Sequence, residues 1–206
     1  MTSITKLRSL AGRLAAAAAF ATAFGAAAQA QEVVYQDLRP VRLFIGGGLT
    51  AGGDRLATAQ YYHGSDYSLH AGGLVQFHGG IEFQVTPLAS VALSVGYHID
   101  AIDDFWGSTR FTRVPVELLG HFRVHPNWRL GGGIRWALHP KLTSEGHAPV
   151  VDEDFDSAVG PVIEAEYLFN PSLGLKVRGV FEQYRSKAGL PSVNGNHIGV
   201  VLNFYF

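Results

Sequence analysis

The chain predicts an all-β fold: an eight-stranded antiparallel up-and-down transmembrane β-barrel behind a cleaved signal peptide. Three observations predict it. Eight segments alternate apolar and polar residues. One face of that alternation carries no charge. The connections between segments are short and long in strict turn.

The alternation is clearest at the C-terminus, where Val200 to Phe206 read VVLNFYF. An exposed apolar edge strand invites aggregation in water. In a closed barrel the last strand pairs with the first, so no edge remains.

The N-terminus predicts export. Lys6, Arg8 and Arg13 form a positive region without an acid, and Leu14 to Ala28 are apolar. Ala28-Gln29-Ala30 has the small-x-small form of a cleavage site. Residues 1–30 are therefore expected to be a signal peptide and 31–40 a short lead-in. Residues 41–206 are expected to be the barrel, as a single domain. Fifteen mostly Ala residues are short for a membrane helix of about 20. Removing three of the 16 bases against 17 acids leaves a mature net charge of −4. That balance does not suggest a nucleic-acid partner. With 0 Cys, neither a disulfide framework nor a cysteine metal site is available.

The eight segments are Val41–Ala51, Gly73–Val85, Val91–Ile99, Val114–Val124, Trp128–Leu138, Val159–Phe169, Leu173–Gln183 and Ile198–Phe206. Their lengths of nine to thirteen residues suit tilted membrane strands. Every second residue from the first of each segment gives 47 positions with no Asp, Glu, Lys or Arg. At 16% charged content about seven charges would be expected there by chance. The opposite face carries Arg42, Glu82, Arg113, Glu117, Arg123, Arg129, Arg135, Glu164, Glu166, Lys176, Arg178 and Glu182, with His78, His98, His121, His139 and His197. Glycines lie on this charged face, as a narrow interior requires. Aromatics such as Phe83, Trp128, Phe169 and Phe204 recur towards the apolar strand ends, as a bilayer girdle requires. A lipocalin-like barrel would invert the faces and explains neither feature.

Three connections are short and each holds a proline: Thr86–Ser90, His125–Asn127 and Asn170–Ser172. The other four are long: Gly52–Gly72, Asp100–Arg113, His139–Ala158 and Tyr184–His197. Symmetric hairpins, with Val124 opposite Trp128 and Phe169 opposite Leu173, give a register. It sets Glu117 opposite Arg135, Glu166 opposite Lys176, and Glu164 opposite Arg178. An eight-stranded interior is only wide enough for side chains. Paired charges there would block it at mid-height.

With this architecture and its terminal Phe206, the chain resembles the small eight-stranded outer-membrane barrels of Gram-negative bacteria, the OmpA-, OmpX- and opacity-protein-like group. The resemblance implies short periplasmic turns, long external loops and both termini in the periplasm. It implies outer-membrane lipid and lipopolysaccharide as surroundings, and Phe206 as a C-terminal insertion signal read by the barrel assembly machinery. Members serve as adhesins, stress-protective proteins, weak channels or lipid-modifying enzymes, and fold does not choose among these.

The remaining constellations are weighed by geometry. His63-Gly64-Ser65-Asp66, with Asp103 and Asp104, is the nearest approach to a nucleophile, base and acid. Neighbours in a glycine-containing loop rarely hold a triad's geometry. His78 and His98 facing each other would supply two ligands where zinc takes three or four. The acidic loops lack the ligand spacing of a calcium-binding loop. No catalytic, metal or cofactor site is assigned. Tyr61, Tyr62, Tyr67, Phe105 and Trp106 are candidate surface-loop contacts for a ligand that the residues do not identify. The expectation is a non-enzymatic scaffold presenting four loops for adhesion, ligand binding or a membrane-stress role. The alternatives are a narrow pore for ions or small solutes and a lipid-A-modifying enzyme.

Overall fold

The computed structural model describes residues 39–60, 66–104, 107–146, 152–189 and 191–206. Eight long strands build the barrel: β1 (Val41–Gly52), β2 (Leu74–Gln84), β3 (Ala89–Asp104), β4 (Gly107–His125), β5 (Trp128–Gly146), β6 (Ala158–Asn170), β7 (Leu173–Val180) and β8 (His197–Tyr205). Each is hydrogen-bonded antiparallel to its neighbours in sequence. β1 pairs with β8 from Phe44 opposite Tyr205 to Gly52 opposite His197, which closes the barrel. Closure leaves the strands of the membrane band without an edge.

The faces follow the alternation. Among the described residues, every exposed large apolar side chain except Leu74 belongs to the uncharged face. Arg113, Glu117, Arg129, Arg135, Glu164, Glu166, Lys176, Arg178 and Glu182 are buried inside. His139 departs from this phase. It is exposed, with a φ of 49°. The facing strand has a register shift between Thr112 and Val114, and Pro140 is buried in place of His139.

The turns also differ locally from symmetric hairpins. Register shifts bring His125 opposite Trp128 and Asn170 opposite Leu173. One step further in, Arg123 opposite Arg129 and Leu168 opposite Gly174 restore the count made from the symmetric turns.

The second long connection is mostly strand. β3 and β4 stay paired from Asp100 opposite Phe111 to Asp104 opposite Gly107. β5 runs on to Gly146, and Asp152–Asp154 adds to its edge. The apolar alternation stops where lipid contact stops, but residues such as Thr109, Thr112 and Thr143 still favour extended backbone. Gln183–Tyr184 pairs with Val193–Asn194 in the fourth connection. In the first, Arg55–Gln60 pairs with Asp66–His70.

Two apolar clusters bound the interior. At the loop end Leu69, Ala71, Phe111, Ala137, Leu142, Phe155, Ala158 and Tyr184 pack together. Phe111 meets Tyr184 and Phe155 edge-on, at ring separations of 5.4 and 5.8 Å. Towards the turns Phe44, Ala92, Leu168 and Tyr205 form the second cluster.

Candidate functional site

The polar interior between these clusters is the candidate site. Near the turns, Arg129 is the hub. Its Nη1 donates to both Glu82 oxygens at 2.9 Å, and its other nitrogens reach Glu166 and the Tyr205 hydroxyl. Tyr205 in turn donates to Glu166 Oε1 at 2.6 Å and accepts from Asn203 Nδ2 at 3.0 Å. Arg42 donates to Glu82 at 2.7 Å and lies over the Tyr205 ring.

At mid-height Glu117 accepts from Arg135 Nη1 at 2.9 Å and from Arg178 Nη2 at 2.7 Å. Glu164 accepts from Lys176 Nζ at 2.7 Å and from His121 Nε2 at the same distance. Lys176 therefore stands opposite Glu166 in the ladder, but its ammonium bonds one row away. Arg178 stands opposite Glu164, yet its hydrogen bond is to Glu117, with Glu164 Oε2 at 3.8 Å. Of the three pairs counted from the turns, Glu117 with Arg135 is the one both opposed and directly bonded. Arg42 with Glu82 and Arg129 with Glu166 are opposed and bonded as well. Space for this crowding comes from glycine. A Cβ at Gly131 would come within 2.6 Å of the His121 ring and 2.8 Å of Glu164 Cγ.

Below the loop-end cluster, Arg135 Nη2 lies 3.0 Å from His98 Nδ1. His98 Nε2 lies 3.1 Å from Arg113 Nη2, so a guanidinium, which only donates, faces each ring nitrogen. Thr50 Oγ1 also lies 2.8 Å from Nε2. Arg135 Nε is 3.2 Å from Glu182, whose other oxygen accepts from Tyr184. His78 and His98 are not opposed. His78 stands opposite Gly96 and bonds Asn203, while Gln76 stands opposite His98. Outside the membrane band, Lys141 pairs with Asp152 at 2.9 Å, which holds its ammonium above the ordinary lysine value.

Tyr61, Tyr62, Phe105, Trp106 and His63 to Ser65 lie outside the described residues. Tyr67 stands opposite Ala59 and Asp103 opposite Ser108 in backbone pairing, and their side chains are not described. The Phe206 amide donates to Leu43 O at 2.9 Å, and its ring is exposed. Charge pairing alone gives no reason to single out Tyr205, Asn203 or Tyr184. Parity with the neighbouring outward residues was the available signal.

A closed antiparallel barrel with an apolar exterior and a charged, packed interior defines an integral membrane barrel. The chain matches the family described as "Outer membrane protein beta-barrel domain" over residues 16–206, and it belongs to that family. Its fold is similar to that of Neisserial surface protein A, with a TM-score of 0.52 and 6% identity over 83% of this chain and 100% of that one. It is also similar to Ail, the attachment invasion locus protein of Yersinia pestis, with a TM-score of 0.53 and 11% identity over 81% of this chain and 97% of that one. No curated protein matches the chain.

Proposed function

We propose that this outer-membrane barrel is a non-enzymatic scaffold that presents its four long connections at the cell surface, with both termini in the periplasm. Its role there is adhesion, ligand binding or protection of the membrane under stress. The observation that carries this reading is the interior. Buried carboxylates, guanidinium groups and an ammonium interlock across the bore, between apolar clusters at either end. Such a bore is a rigid support, not a conduit. Exposed Arg110 and half-buried Lys141 lie beyond the loop-end edge of the apolar band. This suits contact with lipopolysaccharide phosphates. Export through a signal peptide and recognition of Phe206 by the barrel assembly machinery belong to the same reading.

Planar-bilayer recording of the refolded protein tests it. The expected trace stays near baseline, and a large steady conductance would replace the scaffold with a pore. Mass spectrometry of lipid A from cells with and without the protein is expected to show identical species. A shifted acyl pattern would make it an enzyme.

A further inference from the structure

Within the first long connection, Arg55–Gln60 and Asp66–His70 pair with each other and with no barrel strand among the described residues. A lone two-stranded hairpin is marginal in water. What holds this one down is its stem. Leu69 and Ala71 are fully buried in the apolar cluster over the loop end of the bore. The His70 amide donates to Asp100 Oδ2 at 2.8 Å. Asp54 accepts from the Ala71 amide at 2.9 Å, and its carboxylate accepts from the Asn194 amide at 2.8 Å. The seat is close: a Cβ at Gly72 would come within 2.6 Å of His197 Cβ, and one at Gly53 would meet the Gly72 amide.

Directly beneath the stem is a polar layer. Gly73 O lies 3.4 Å from Arg113 Nη2. Arg113 reaches His98, which has Gln76 opposite it and the His197 ring 5.1 Å away. Gln76 Nε2, Arg113 Nη1 and His197 Nε2 are buried and make no hydrogen bond among the described residues. The His197 Nδ1 proton goes to Gly195 O at 2.8 Å, which leaves Nε2 as an acceptor when the ring holds one proton. Buried groups of this kind are normally satisfied by protein or water.

We infer that the stem of the first connection, Asp54–Leu56 with Ser68–Gly72, is a releasable seal over this polar layer. Its opening admits water and small polar solutes to Gln76, Arg113 and His197 while the ion pairs below stay shut. The inference goes beyond a static scaffold. It requires only the loop-end geometry, not the surface role.

The chain has 0 Cys, so single cysteines report access cleanly. Gln76→Cys would lie under the seal, and Ser94→Cys opposite Glu117, within the ion-pair level. Both variants are refolded in detergent and exposed to a small anionic methanethiosulfonate. With the seal intact, Gln76→Cys is expected to label slowly. Adding Asp100→Asn should speed its labelling about tenfold, as weakening one charged hydrogen bond shifts an opening equilibrium. Leu69→Ala, separately, should speed it about thirtyfold or more, as for other buried leucines. Ser94→Cys should stay protected in every background. Fast labelling of Gln76→Cys with the seal intact, or an unchanged rate in both seal variants, overturns the inference. So does parallel labelling of Ser94→Cys, because the whole barrel would then be loosening. Conductance is recorded separately, so a failed seal and a failed scaffold are distinguishable.

Discussion

Glu117 is held between two guanidinium groups, one on β5 and one on β7. Removing it leaves Arg135 and Arg178 buried with less compensation, and breaking a buried pair in this way costs about 3–5 kcal/mol. Glu117→Ala is therefore expected to unfold at clearly lower urea in lipid vesicles. His121→Gln keeps an amide donor for Glu164 and should shift the midpoint little. The two are compared in the same reversible titration. That Glu117 and Arg135 would be opposed is legible in the sequence, because backbone register can be counted from the turns. The exchange of partners by Lys176 and Arg178 is not legible. In a bore only side chains wide, a long side chain reaches the next row as easily as its own, and the choice depends on rotamers that register does not determine.

Glycines in the strands divide by what lies beside them. An added Cβ at Gly160 would run into the Phe181 carbonyl, and one at Gly133 into the Leu118 carbonyl. At Gly120, on the lipid side, the nearest atom is 3.9 Å away. Gly160→Ala should lower the yield of the heat-modifiable folded band on gels, and Gly120→Ala should leave it unchanged. The outer face sets a second expectation for the strands. Val116→Arg or Ile134→Arg should each cost about 2–4 kcal/mol near the midplane, as the vesicle titration reads, whereas a charge at Thr143 beyond the band should be tolerated. Strand phase was readable from period 2, except at His139, where a positive φ reverses it. Strand ends were not readable. Past the lipid the outer face turns polar while pairing continues, so β3, β4 and β5 outrun their apolar patterns.

For the molecule as a whole, the barrel and the closed bore were within reach of the sequence, but the loop-end apolar core was not. Leu69, Phe111, Leu142, Phe155 and Tyr184 come from all four long connections and the strand ends beside them, and they show no shared periodicity. Long connections read as separate loops therefore fold into one packed layer. Leu142→Ala is expected to cost about 2–5 kcal/mol, as for other buried leucines. It should also raise hydrogen exchange at Phe155 and Tyr184, in the third and fourth connections. Exchange confined to β5 would show that the connections behave independently.

Tyr205 sits on the strand that closes the seam, and its hydroxyl joins Arg129, Asn203 and Glu166. Before β8 docks, Arg129 and Glu166 lack that bridging oxygen, and the bore is open along one side. Sealing the wall and completing the hydrogen bonds around Arg129 and Glu166 are therefore the same event in time. A nascent chain poised in the bilayer with seven strands would turn the polar groups along its open seam towards lipid. Insertion is thus favoured as a single late step, with the C-terminal strand as its trigger. Tyr205→Phe is expected to slow that step in stopped-flow refolding by more than it speeds unfolding.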